Sequence, residues 1–143
     1  MKRILYFIAI LPFIMGISSC EKKDCNGDLD GMWQLLEWKD PEGVVVATKE
    51  DMIFYSVQLQ MMNFKKLTPV ELNYNSSFRR TDDGIQVYDP IKYIGGGHDQ
   101  IMEMSVLEPV GVPADGIMRM EGLSSQELVL NSPTRGTLKF RKY

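Results

Sequence analysis

The strongest constraint on the fold is an alternation of apolar and polar residues that recurs in short runs from residue 31 to residue 143. Turn-forming residues such as Asp82-Asp83-Gly84 and Ser132-Pro133 separate these runs. A period of two is typical of antiparallel strands that have one buried and one exposed face. No stretch in this region keeps the period of 3.6 that indicates a helix. The pattern therefore predicts an all-β domain.

The number of runs limits how the strands can be arranged. Exposed edge strands favour aggregation, so a sheet of this kind closes into a barrel or packs as a two-sheet sandwich. About eight strands closed into a barrel would enclose a space that side chains fill or that holds one small ligand. The runs are centred on residues 32–38, 56–61, 70–75, 85–87, 102–106, 118–120, 128–130 and 138–141.

Composition and charge exclude several classes of function. The formal net charge is −3, the pI is near 5.2 and there is no basic cluster, so we expect no nucleic-acid partner. The single histidine leaves little for a histidine-based zinc site or a Ser-His-Asp triad. Two cysteines are too few for a disulfide-rich fold. We expect no cofactor and no metal.

Residues 1–19 are predicted to form a signal peptide. Lys2 and Arg3 precede an apolar stretch at residues 4–17. This stretch is shorter than the about 20 residues that a membrane-spanning helix needs, and it fits the apolar core of a secretory signal. A plain signal peptide that is cleaved nearby and a buried strand are the alternative interpretations of the same residues.

The end of this segment predicts a lipid anchor. Ile17-Ser18-Ser19-Cys20 resembles the bacterial lipobox, in which an aliphatic and two small residues precede a cysteine that receives diacylglycerol. The resemblance implies that Cys20 carries acyl chains such as palmitate, which together anchor a protein stably to a membrane. We expect a lipidated cysteine with a flexible tether at residues 20–30 and a domain at residues 31–143. The expected location is the cell envelope, at the outer membrane.

Both ends of the domain resemble lipocalins. Gly31-Met32-Trp33 resembles the Gly-x-Trp start of that family, whose tryptophan closes one end of the barrel beneath a basic residue of the last strand. Residues 120–141 look like the tail of lipocalin-like lipoproteins of Bacteroides-type bacteria. The resemblance implies an antiparallel eight-stranded up-and-down barrel in which Lys139 or Arg141 covers the tryptophan.

A barrel of this kind predicts a small apolar ligand bound by residues that face its interior. The alternative is a non-enzymatic interaction module of an envelope complex, or an inhibitor, whose barrel is filled by side chains and whose loops contact a protein partner. The residues predicted to line the interior are Trp33, Leu35, Val57, Leu59, Met61, Leu72, Tyr74, Met102 and Met104.

Methionine is abundant, with ten in the chain. Met102-x-Met104 and Met118-x-Met120 each place two thioethers on one face of a predicted strand. Core filling is the expected role, because methionine adapts to irregular gaps. A soft lining for an apolar ligand and a Cu(I) site are the alternatives.

A glycine-rich run, Gly95-Gly96-Gly97-His98-Asp99, is the remaining unusual feature. Glycines allow positive φ and close approach to a ligand, which suits a lid at the mouth of a barrel. His98 beside Asp99 suggests a general base with an orienting carboxylate, but the sequence places no nucleophile beside them. We expect a mobile loop, no catalytic residues and no enzymatic activity.

Overall fold

The computed structural model describes residues 26–97 and 99–143, so the predicted signal peptide, Cys20 and His98 lie outside the described residues. Within these two ranges, no helix is long and apolar enough to cross a membrane. The described 3₁₀ helices cover Gly27–Leu29, Lys49–Asp51 and Met104–Val110. The strands are β1 (Gly31–Lys39), β2 (Val45–Thr48), β3 (Ile53–Gln58), β4 (Met61–Lys66), β5 (Leu72–Arg80), β6 (Gly84–Tyr93), β7 (Asp99–Ile101), β8 (Ile117–Leu123), β9 (Glu127–Ser132) and β10 (Gly136–Lys142).

Eight of these strands form a closed antiparallel ring. Neighbours follow the order β1, β3, β4, β5, β6, β8, β9 and β10, and β10 pairs back with β1. The predicted eight-stranded antiparallel barrel is therefore confirmed. The short strands β2 and β7 lie beside the ring, paired with the ends of β1 and β6. Because the ring closes on itself around its own core, residues 26–143 form a self-contained folding unit.

Side chains fill the centre of the barrel. The ring centroid of Tyr55 lies 4.6 Å from that of Phe64 and 4.6 Å from that of Phe140. Alternate residues along the strands point inward, as a period of two requires. Other fully buried side chains include Trp33, Leu35, Met62, Ile85, Val87, Leu128, Leu130 and Leu138.

The turn between β3 and β4 corrects one part of the predicted pattern. Val57, Leu59 and Met61 alternate as if in one strand, but β3 ends at Gln58 and Leu59 turns with a left-handed φ of 56°. Across this hairpin Val57 pairs with Met62. Paired residues share a face of the sheet, so Met62 points into the core with Val57. Leu59 and Met61 are 51% and 40% exposed, and neither lines the interior.

A 3₁₀ helix replaces the strand predicted at residues 102–106. Met102 and Met104 are half-buried, and the residues that reach the core are Leu107 and Val110. These two lie three positions apart, which is one turn of a 3₁₀ helix, so they share a face. The strand prediction was wrong because full burial begins at Leu107 and recurs three residues later at Val110, whereas Met102 and Met104 stay half-buried.

Trp33 closes one end of the barrel, which we call the closed end. The indole is fully buried, and its Nε1–H donates to the carbonyl oxygen of Leu29 at 2.8 Å. Lys142, the residue opposite Trp33 on β10, places Nζ 4.1 Å from the ring centroid. Lys139 and Arg141 were the wrong candidates for this cover, because the strand register sets Lys142 against the indole.

The approach to the first strand also packs against the closed end. The 3₁₀ helix Gly27–Leu29 buries Leu29 in the core. Asn26 donates from Nδ2 to the carbonyl oxygen of Leu59 at 2.7 Å and to Oδ1 of Asp30 at 2.8 Å. Residues 26–30, predicted as part of a flexible tether, thus belong to the folded domain because Leu29 completes its core.

Candidate functional site

The end of the barrel opposite Trp33, which we call the mouth, is crossed by the 3₁₀ helix Met104–Val110. This helix packs against β4 and β6. Glu108 on the helix forms an ion pair of 3.1 Å with Arg135 in the turn between β9 and β10. These contacts lie on different sides of the ring, so the helix spans the opening. Leu107 and Val110 fill the space beneath it.

A buried hydrogen bond fixes the helix to the wall of the barrel. The hydroxyl of Tyr55 donates to the carbonyl oxygen of Val110 at 2.5 Å. Burial raises the pKa of Tyr55 above its usual value, so the hydroxyl stays protonated and remains a donor. Together with Phe64 and Phe140, this contact occupies the centre of the barrel. Side chains therefore fill the barrel at the level of Tyr55.

A groove of about 530 Å³ lies beside the helix at the mouth. Leu72 and Tyr74 of β5 are partly buried against the core and form its floor, and Pro109 of the helix borders it. Val70, in the turn before β5, is 72% exposed. Pockets that bind small molecules measure about 300–1,000 Å³. The residues lining this mouth groove are Lys66, Pro69, Val70, Glu71, Leu72, Asn73, Tyr74, Lys92 and Pro109.

Two lysines border the mouth groove, and each lies on the inward-facing side of its strand. On β4, Met62 and Phe64 are fully buried, and Lys66 continues their face of the strand. On β6, Pro90 is buried and Lys92 follows on the same face. The ion pairs among the described residues lie elsewhere, so neither lysine pairs with a described carboxylate. The groove therefore combines an apolar floor with two ammonium groups.

This geometry agrees with the match to a known family. A family model described as a lipocalin-like domain matches residues 15–143. The chain belongs to this family. The resemblance inferred from Gly31-Met32-Trp33 is thereby confirmed, and the fold class places the protein among ligand-binding types of domain.

Two solved structures share the fold of this lipocalin-like domain. A lipocalin-like protein from Bacteroides uniformis has a TM-score of 0.60 and 22% identity, and the match covers 82% of this chain and 100% of that one. An uncharacterized protein from Bacteroides eggerthii has a TM-score of 0.58 and 24% identity, with 80% and 99% covered. No curated protein matches the chain significantly. At these identities the likeness shows the fold alone.

The residues predicted to line the interior occupy four different places in the lipocalin-like domain. Only Leu72 and Tyr74 line the mouth groove. Met102 and Met104 line a second groove of about 420 Å³, which Asp89 and Glu103 also border. The predicted residues that lie in the filled core are Trp33, Leu35 and Val57. The predicted residues that face solvent are Leu59 and Met61.

Sequence reasoning missed the other seven residues that line the mouth groove, among them Lys66, Val70, Lys92 and Pro109. One signal was present in the sequence: Met62, Phe64 and Lys66 alternate with polar neighbours, so a lysine occupies a position where the pattern requires an apolar residue. Pro109 gave no comparable signal, because its place in the groove depends on the tertiary position of its helix.

Two further hypotheses concern a metal site and the glycine-rich run next to His98. Across residues 26–97 and 99–143, no three His, Cys, Asp or Glu side chains come together to hold a metal ion. Gly95, Gly96 and Gly97 have φ values of 82°, 70° and 84°, the positive φ that the run of glycines predicted. Asp99 is exposed in β7, while its predicted partner His98 lies outside the described residues.

Proposed function

We propose that this protein is a lipid-anchored lipoprotein of the cell envelope whose lipocalin-like domain binds a small apolar ligand in the mouth groove, without catalysis. One observation carries the proposal. The centre of the barrel is filled around Tyr55, whereas the groove beside Pro109 has the volume and apolar floor that a small ligand needs. The fold class supports a binding role, and the groove supplies a place for it.

The direction in which the chain enters the barrel supports the anchor. Asn26 is held at the closed end by its hydrogen bonds to Leu59 and Asp30, and the mouth groove lies at the opposite end. The segment from Cys20 to Asn26 reaches at most about 20 Å when extended. An acylated Cys20 would therefore hold the closed end near the membrane and direct the mouth toward the aqueous phase.

Replacing Val70 with glutamate is expected to weaken binding of a neutral apolar probe, because it puts a charge at the edge of the apolar floor. We expect the affinity of N-phenyl-1-naphthylamine for residues 26–143 to fall about tenfold, the loss of roughly one buried aliphatic side chain. The measurement is a fluorescence titration of the wild-type domain and of Val70→Glu.

Val45→Glu is the matched control for this experiment. Val45 is 48% exposed on β2 and lies outside the lining of the mouth groove, so the same change there should leave the affinity unaltered. Equal affinity in wild type and both variants would show that the probe binds elsewhere. A wild-type domain that binds no probe would contradict the ligand-binding function as a whole.

A protein-interaction module is the second candidate, and an exposed apolar hairpin favours it. Beside the filled core, Tyr93, Ile94 and Ile101 on the β6–β7 hairpin are 74%, 58% and 66% exposed. Apolar side chains grouped on the surface commonly mark protein contacts. This candidate would replace the first if the wild-type domain takes up no apolar probe.

A further inference from the structure

The mouth groove carries a feature that an apolar ligand alone does not explain. The face of β4 that holds Met62 and Phe64 ends in Lys66, and Lys92 holds the corresponding position beside the buried Pro90 on β6. Lys66 is half-buried and Lys92 is exposed, so two charged residues occupy positions at the rim of the groove where the strand pattern would place apolar ones. Two such positions border one groove, so their charges act at the same place.

The order of the strands sets these lysines on both sides of the apolar floor. β5 lies between β4 and β6 in the ring, and it supplies Leu72 and Tyr74. Lys66 pairs with Leu72 across β4 and β5, and Lys92 reaches the groove from β6. A molecule lying on the floor therefore meets one ammonium group from each neighbouring strand.

We infer that the ligand of the mouth groove is an anionic amphiphile, with an apolar body on Leu72 and Tyr74 and an acidic head group between Lys66 and Lys92. This inference rests on the proposed function and names the class of ligand. The ammonium group of a lysine is a compact positive charge that pairs with a carboxylate, a phosphate or a sulfate alike. The shared chemistry is therefore a negatively charged head group.

The charge of the groove contrasts with the charge of the whole chain. Glu71 is the single carboxylate in the lining, so the groove keeps one net positive charge. The whole chain carries a formal net charge of −3. A positive groove on an acidic protein draws anions to this position and away from the rest of the surface.

The experiment compares two ten-carbon ligands, one with an anionic head group and one with a neutral head group. Decanoate and decanol are titrated into residues 26–143, the self-contained barrel, at pH 7 by displacement of N-phenyl-1-naphthylamine. We expect decanoate to bind about fivefold more tightly, the effect of two partly exposed ion pairs. In Lys66→Gln combined with Lys92→Gln, the two affinities should become equal. Decyl phosphate in place of decanoate shows which acidic head the groove prefers.

Lys65→Gln is the matched control, since Lys65 neighbours Lys66 in the chain but borders a groove on the outer face of the barrel. It should keep the full preference for decanoate. Equal affinity of wild type for decanoate and decanol would overturn the inference and leave the proposed function standing. A preference that survives in the double variant would overturn it as well. If neither compound displaces the probe, both the proposed function and this inference fail.

Discussion

Replacement of Trp33 by alanine is expected to lower the free energy of unfolding of residues 26–143 by about 3–5 kcal/mol, the range seen for large buried aromatic side chains. The indole is fully buried, donates a hydrogen bond to Leu29 and lies beneath the ammonium group of Lys142. Its removal leaves a cavity and an unpaired carbonyl oxygen at the closed end. Since small domains are stable by about 5–15 kcal/mol, this loss removes a large fraction of the stability of the domain.

Urea unfolding followed by far-ultraviolet circular dichroism measures this effect. Tyr93→Ala is a suitable control, because this aromatic side chain is 74% exposed on a hairpin and its loss should change stability by about 0.5 kcal/mol or less. A loss below about 1 kcal/mol for Trp33→Ala would show that the indole does not close the barrel, given the usual cost of burying large side chains.

Replacement of Leu107 by alanine is expected to cost about 2–5 kcal/mol, because this side chain fills the space beneath the helix that crosses the mouth. Its removal leaves a cavity beneath the helix that carries Pro109, a residue that borders the mouth groove. The same urea titration measures the loss of stability.

Leu59→Ala is the control with the same chemistry. The alternation of Val57, Leu59 and Met61 predicts an inward Leu59, whereas the structure leaves it 51% exposed in a turn. We expect its replacement to change stability by about 0.5 kcal/mol or less. A larger cost at Leu59 than at Leu107 would restore the sequence-based assignment and contradict the positions of both residues.

Much of the barrel could be predicted because buried and exposed residues alternate along its strands. β1 and β10 lie where the alternation predicted strands, and Gly31-Met32-Trp33 identified the residue at the closed end. The register between the two strands could not be read from either one, which is why Lys142 was missed as the partner of Trp33. The pairing of strands far apart in the chain depends on the closed ring.

The site was harder to predict than the fold, because it departs from the pattern that reveals the fold. Lys66 and Lys92 interrupt inward-facing faces, and Val70 lies exposed in a turn. The 3₁₀ helix that borders the groove resembled a strand in sequence, since Met102 and Met104 alternate with polar residues. Only the tertiary structure shows that this segment closes the mouth.

The most direct test of the account asks where a ligand binds. Amide chemical shifts of the ¹⁵N-labelled domain, residues 26–143, are followed by NMR during a titration with decanoate. The account predicts that the largest shifts cluster at Lys66, Val70, Leu72 and Lys92, around the mouth groove. Shifts concentrated at Leu35, Val57 and Leu130 would place the ligand inside the barrel and contradict the account.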